Sequence, residues 1–210
     1  MNKNKIVCRM HANGKFLYGR RAFLHLVSLL GGGLVFAKPL LAMAQPKGMK
    51  MLIIYFSHSG NTRQVAREIQ ALTHAEMVEI MPQIPFPENY DKLVELAEKQ
   101  ASEHYLPAFK VEGHVDFNDF NVIFLGFPIW AYTMPMIIYS FLDKHKFAGK
   151  KIAPFCTQMG SGLADSEDRL KELCPQADIL PGLAIWGSKA AESSRLVKDW
   201  LKNNGLCQQE

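Results

Sequence analysis

The sequence predicts a single α/β domain with a doubly wound parallel sheet and helices on both of its faces. From residue 50 onward, apolar runs typical of buried strands alternate with segments that have apolar residues at helical spacing. Three of the predicted strands are followed by loops of small, polar or aromatic residues, as at the ligand-binding edge of such sheets. We predict five parallel strands in the order 2-1-3-4-5.

The first half of the domain contains two predicted strands and two predicted helices. The run 51–56 is continuously apolar, as expected for a parallel strand covered on both faces. Apolar residues at helical spacing predict a helix over 62–72. Residues 76–81 alternate in the manner of an edge strand, and 90–103 predict a second helix. The segment 104–120 has no clear pattern, and we interpret it as a surface excursion.

The second half of the domain contributes the other three strands, and helices separate them. The predicted strands cover 121–126, 151–156 and 183–186, and the predicted helices cover 136–144, 165–174 and 190–203.

A loop of small polar residues, Ser57-His58-Ser59-Gly60-Asn61-Thr62, joins the first strand to the first helix. Backbone N–H groups converge at such a turn, and the helix dipole adds partial positive charge, so the loop suits a phosphate. It has neither the lysine of a Walker loop nor the glycine spacing of a dinucleotide fold. Neutral donors therefore suit a buried monophosphate. The alternative is an ordinary turn with a Ser or Thr helix cap.

Two further loops leave the same predicted edge of the sheet. The loop 128–133 contains Trp130 and Tyr132, and the loop 157–162 contains two glycines. A flat aromatic ligand with one phosphate would use all three loops.

These motifs resemble a known family. The loop Ser57–Thr62 is similar to the phosphate loop of flavodoxins. Four other segments resemble one bacterial flavodoxin-like subfamily, namely Phe86–Tyr90, Phe124–Trp130, Phe147–Lys151 and Phe155–Gly162. The resemblance covers about residues 50–190, and it implies a flavodoxin-like fold with FMN as the cofactor.

The resemblance also implies a role for each matching residue. The FMN phosphate would be bound by the side chains of Ser57, Ser59, Asn61 and Thr62 and by the backbone N–H groups of His58 and Gly60. The isoalloxazine would be bordered by Pro128, Ile129 and Trp130, with Trp130 stacking on it. Its other edge would be lined by Thr157, Gly160, Ser161 and Gly162.

We assign no catalytic residue and no metal ligand. His58 could supply a proton near the flavin, or it could simply face solvent. Tyr132 could cover the flavin, or it could have a packing role. The pair Ala131-Tyr132 departs from the family pattern, which leaves more space over the ring.

The first 44 residues predict an export signal. They contain seven basic residues and no Asp or Glu, and an apolar run from Ala22 to Phe36 follows the pair Arg20-Arg21. The following Phe-Leu resembles the twin-arginine signal, which carries folded proteins. We expect cleavage after Ala44 and a periplasmic product. This divides the chain into a leader (1–44), a linker (45–49), the domain (50–205) and a tail (206–210).

Two alternatives to a cleaved leader stay open. In an uncleaved membrane anchor the apolar run would have to span about 20 residues, but Lys38 and Pro39 interrupt it. Translation from Met49 would instead give a cytoplasmic protein.

Charge and cysteine content exclude some classes of function. The full chain has a net charge of +4, but loss of the seven basic residues in the leader leaves 17 basic and 20 acidic residues, a net charge near −3. We therefore expect no nucleic-acid binding. Cys156, Cys174 and Cys207 lack metal-ligand spacing, and we interpret them as buried or tail thiols.

The favoured interpretation is an exported FMN protein that carries electrons to or from a redox partner protein or a small acceptor, with the leader engaging the export machinery. One alternative is an FMN-dependent reductase that acts directly on quinones, nitroaromatics or azo compounds. Another is an interaction module without flavin.

Overall fold

A computed structural model of the chain describes residues 48–111, 113 and 115–207. The predicted leader with its cleavage site lies outside these residues, and so do most of the linker and the last three residues of the tail.

The described residues form one sheet of seven strands. The strands are β1 (Met51–Tyr55), β2 (Glu76–Pro82), β3 (Phe109–Val111), β4 (Val122–Pro128), β5 (Lys151–Gln158), β6 (Asp178–Ile179) and β7 (Leu183–Trp186). Their order is β3-β2-β1-β4-β5-β6, and β7 also pairs with β5. Every pair is parallel except β2 with β3.

Five helices connect or follow the strands. They are α1 (Asn61–Thr73), α2 (Tyr90–Ser102), α3 (Met136–Lys144), α4 (Ser166–Leu173) and α5 (Ser194–Asn203), with short 3-10 helices at Phe117–Asp119 and Gly187–Glu192. Within the described residues, no helix combines the length and the apolarity that a membrane crossing requires.

The sheet separates two hydrophobic cores because successive residues of a strand point to opposite faces. Leu52 and Ile54 of β1 belong to the core that includes residues of α2, α3 and α4. Ile53 and Tyr55 belong to the core that includes residues of α1 and α5. Helices therefore cover both faces, and the α/β prediction is confirmed.

The predicted strand order is also confirmed, since β2-β1-β4-β5-β7 corresponds to 2-1-3-4-5. Three details of the prediction were wrong. The sheet has seven strands rather than five, because β3 and β6 were not predicted. The segment interpreted as a surface excursion contains β3, which pairs antiparallel with β2, so β2 is not an edge strand. The last helix begins at Ser194 because Gly187–Glu192 form a 3-10 helix. Ser193 follows that helix, and its Oγ donates to the Ala190 carbonyl at 2.7 Å.

Aromatic packing holds two parts of the excursion, at Phe109 and Phe117, against α3. Phe109 and Phe117 pack edge-on against Phe141 of α3, with ring centroids 5.8 and 5.6 Å apart. His145 joins the same cluster, and its partial burial with the nearby Lys144 lowers its pKa. These contacts join residues that are distant in the sequence.

Candidate cofactor site

The loop between β1 and α1 presents a group of unpaired backbone donors. Gly60 has a left-handed φ of 91°, which turns the chain into α1 at Asn61. Among the described residues, the N–H groups from His58 to Thr62 have no hydrogen-bond acceptor. The first turn of α1 contains no acidic residue. This donor set at a helix N-terminus fits a phosphate.

Hydroxyl groups extend the donor set into the protein. Thr62 is 1% exposed, and its Oγ1 lies 2.8 Å from Thr157 Oγ1. Ser57 Oγ accepts a hydrogen bond from the Arg63 N–H at 3.2 Å, so its own proton is left to donate. Ser59 is exposed at the loop surface. The phosphate loop is thus hydrogen-bonded directly to the end of β5, where the third loop begins.

The guanidinium of Arg63 lies beside the phosphate loop. The sequence alone did not indicate this position. Arg63 in the first turn of α1 makes a bidentate ion pair with Glu79 of β2, at 2.6 and 3.0 Å. Tyr55 donates to the same carboxylate at 2.9 Å. Burial, together with this carboxylate, raises the pKa of Tyr55 to about 12. Glu79 thereby ties the end of β1 to the start of α1.

The second loop begins where β4 ends. Pro128 and Ile129 lead out of the sheet, and the Ile129 N–H donates to the Thr157 carbonyl at 2.9 Å. The Trp130 ring is partly buried and meets three rings edge-on, those of Phe56, His58 and Phe86, at centroid distances of 5.4, 5.7 and 5.2 Å. These contacts set the orientation of the predicted stacking residue.

A strained turn follows Trp130. Trp130 and Thr133 exchange two backbone hydrogen bonds of 3.0 Å across the two-residue turn Ala131-Tyr132. Both turn residues have a left-handed φ, 47° and 60°. Such turns favour Gly, Asn or Asp, and other residues there cost about 1–3 kcal/mol each. Tyr132 is 80% exposed, which argues against a packing role for it.

Buried side chains at the end of β5 form hydrogen bonds with the backbone of the third loop, 157–162. The side chain of Gln158, which is 7% exposed, accepts hydrogen bonds from the N–H groups of Gly160 and Gly162. Cys156 Sγ donates to the Gly162 carbonyl at 3.3 Å. Burial raises the pKa of this thiol to about 12, so it stays protonated near neutral pH. Cys174 and Cys207 are likewise buried free thiols.

The end of β7 forms a fourth wall that sequence reasoning missed. A Cβ atom at Gly187, directly after β7, would lie 3.0 Å from Asn61 Nδ2, so the phosphate loop approaches the end of β7 closely. A Cβ at Gly160 would lie 3.6 Å from the Trp186 ring. Trp186 is 54% exposed and therefore lies at the rim of the site, whereas Trp200 is buried in the core.

A cavity of about 550 Å³ opens on the β2 side of the phosphate loop. Its walls are mainly apolar, and His58 and Glu88 add polar groups. The apolar walls come from Phe56, Pro82, Pro85, Phe86 and Leu93. Two of these residues, Phe56 and Phe86, also contact Trp130. The cavity therefore adjoins the predicted flavin site.

All the predicted site residues lie in three loops, or at the strand ends that lead into them, at the carboxyl edge of the sheet. A family model described as flavodoxin matches residues 50–204, most of the chain. The chain belongs to the flavodoxin family. The prediction of FMN as the cofactor is confirmed by this membership, and the unpaired N–H groups and hydroxyls of the first loop fit its phosphate. None of the curated proteins matches this flavodoxin.

Several solved structures are similar to this flavodoxin. A protein of Bacteroides uniformis, described as a flavoprotein, is 28% identical with a TM-score of 0.65, covering 74% of this chain and 99% of its own. One from Bacteroides eggerthii is 25% identical with the same TM-score, covering 74% and 98%. A flavoprotein of Lactobacillus acidophilus, solved in complex with FMN, is 23% identical with a TM-score of 0.58, covering 72% and 98%.

Proposed function

We propose that this flavodoxin holds FMN at the edge formed by its three loops and works as an electron carrier outside the cytoplasm. The observation that carries the proposal is the run of unpaired N–H groups from His58 to Thr62, joined through Thr62 to Thr157 at the end of β5. A phosphate bound in the first loop would place the rest of the cofactor between the second and third loops.

The phosphate is held by two kinds of donor in this proposal. The N–H groups at the start of α1 are oriented by the helix and need little rearrangement on binding. The hydroxyls of Ser57, Ser59 and Thr62 and the amide of Asn61 add neutral hydrogen bonds. Because Glu79 neutralises Arg63, the site contributes little net charge and relies on these oriented dipoles.

The isoalloxazine is placed by the other two loops. Pro128, Ile129 and Trp130 border it on one side, and residues 157–162 border it on the other. FMN, when bound, accepts and releases electrons reversibly. The chain orients the ring and keeps water from it. The aromatic and backbone carbonyl groups nearby disfavour negative charge on the reduced ring, so we expect a low second midpoint potential, as suits one-electron transfer.

Direct reduction of a small molecule is the second candidate function. The cavity of about 550 Å³ supports it, because its volume and apolar walls fit a quinone or another small aromatic compound. It lies next to the rings that contact Trp130. The small side chain of Ala131 also supports this function, because it would leave room for a substrate over the flavin ring.

A redox titration of the purified mature protein with its flavin bound separates these functions. We expect a yellow protein whose flavin is reduced in two resolved one-electron steps, and whose oxidation by menadione is slow. A single two-electron step together with rapid turnover of menadione would contradict the carrier function and support the reductase. A colourless protein that does not bind added FMN would contradict both the carrier and the reductase functions. It would instead support an interaction module without flavin.

We also propose that the protein reaches the periplasm by twin-arginine export, with its flavin already bound. The basic, apolar and small-residue regions of the leader support this. Replacing Arg20 and Arg21 together by Lys should keep the protein in the cytoplasm. Cell fractionation measures the distribution, and replacing Lys3 and Lys5 by Arg is the control, since it keeps the charge and the arginine pair. Unchanged periplasmic delivery of the Arg20→Lys/Arg21→Lys variant would contradict this route.

A further inference from the structure

The side chain of Gln158 decides which backbone groups of the third loop are available to a ligand. Gln158 is the last residue of β5, and its carboxamide is buried beneath the loop that follows. Its Oε1 accepts from the N–H of Gly160 and, at 3.4 Å, from the N–H of Gly162. Since both partners are donors, the oxygen must be the atom that faces them.

The N–H groups of this loop are therefore divided between two uses. Those of Gly160 and Gly162 are satisfied within the protein. The N–H of Ser161, between them, has no hydrogen-bond acceptor among the described residues. Met159 N–H also has no acceptor among the described residues, but Met159 is 82% exposed, so water can reach it. Ser161 is half-buried, and ligand-covered N–H groups are almost always paired, so Ser161 N–H is the donor that needs an acceptor when a ligand covers the loop.

Backbone conformation explains why glycines flank Ser161. Gly160 and Gly162 have φ values of 125° and 63°, which side chains with a Cβ rarely adopt. These conformations turn both N–H groups toward the one oxygen of Gln158. The Trp186 ring lies 3.6 Å from the position of a Cβ at Gly160, so it lies beside this loop.

We propose that Gln158 is a positioning residue, which holds the loop so that Ser161 N–H is the backbone donor to the isoalloxazine and Gly160 and Gly162 contribute shape alone. This inference rests on the proposed FMN site. Of the four residues expected from the sequence to line this edge of the ring, only Ser161 would donate a backbone hydrogen bond to it. Gln158, which the sequence did not assign to the site, joins it as a positioning residue.

Two substitutions separate hydrogen bonding from packing. Gln158→Glu keeps oxygens that can accept from both glycines, whereas Gln158→Met keeps the length of the side chain and removes both acceptors. Amide hydrogen exchange, followed by NMR on the mature protein without flavin, measures the effect residue by residue. We expect slow exchange at Gly160 and Gly162 in the wild type and in Gln158→Glu. Both should exchange at least about 10-fold faster in Gln158→Met, because each loses its acceptor.

Adding FMN tests the second half of the proposal. Ser161 should become protected from exchange when FMN binds to the wild type, while Gly160 and Gly162 change little. Equal exchange of the two glycines in the wild type and Gln158→Met would overturn the role of Gln158, whether or not FMN binds. Protection of Gly160 or Gly162 rather than Ser161 by FMN would overturn the donor assignment. Failure of FMN to bind at all would instead contradict the proposed function and leave the first result standing. If Gln158→Met does not fold, Gln158→Asn, whose side chain is one carbon shorter, replaces it.

Discussion

Thr62→Val is expected to weaken FMN binding by roughly 10- to 100-fold. The substitution keeps the shape of a buried side chain and removes a hydroxyl from the proposed phosphate site. A hydrogen bond to a charged group contributes about 1.5–3 kcal/mol, which corresponds to this range of affinity. The same change removes the hydrogen-bond partner of Thr157 Oγ1, 2.8 Å away, and so loosens a second predicted site residue, which should lower the affinity for FMN further.

Fluorescence titration with FMN and with riboflavin measures this effect. Riboflavin has no phosphate, so its affinity should change much less than that of FMN. Thr73→Val is the matched control, because Thr73 is also a buried threonine of α1 but lies at the opposite end of the helix. Its affinity for FMN should stay at the wild-type value. Equal losses for FMN and riboflavin in Thr62→Val would mean that the phosphate lies elsewhere.

Gly126→Ala is expected to destabilise the fold by about 3 kcal/mol or more. Gly126 of β4 pairs with Phe155 of β5, and a Cβ at Gly126 would lie 2.1 Å from the Phe155 ring. Phe155 is fully buried, so its ring has no free space to move into. Overpacking of this kind usually costs about 1–3 kcal/mol, and more where neighbours cannot relax. The displaced strand leads directly to Thr157, so FMN binding should also weaken.

A double-mutant cycle with Phe155→Leu identifies the cause. Urea unfolding monitored by circular dichroism gives the free energy of unfolding for each variant. If the clash is responsible, the smaller side chain should relieve it, and the double variant should be less destabilised than the two single variants combined. Strictly additive effects would show that Gly126 matters for another reason, such as backbone flexibility.

Much of the fold could be predicted from the sequence because its signals are local. Continuous apolar runs identified β1, β4 and β5, and helical spacing identified α1 and α3 within a residue or so of their observed ends. The excursion at 104–120 could not be interpreted in this way. Its strand β3 has three residues, and it is ordered by pairing with β2 and by the contact of Phe109 with Phe141, both of them remote in the sequence.

The candidate site likewise has features that could be predicted from the sequence and features that could not. The three loops could be predicted, since each follows a recognisable strand and the carboxyl ends of parallel strands share one edge. The ion pair of Arg63 with Glu79 could not be predicted, because it joins α1 to β2 through side chains whose directions depend on packing. The turn at Ala131-Tyr132 could not be predicted either, because alanine and tyrosine rarely adopt a left-handed φ. The backbone hydrogen bonds between Trp130 and Thr133 compensate for this strain.

By itself, the sequence determined the loop Ser57–Thr62 and its suitability for a phosphate, because residue type and position before a helix are sufficient for that inference. Tertiary structure alone decided how the loop is completed. It brought Thr157 against Thr62, Gly187 against Asn61, and the Gln158 oxygen against two glycine N–H groups. These contacts depend on the register of β5 and β7 in the sheet and on distances of a few ångströms, which no local pattern of residues specifies.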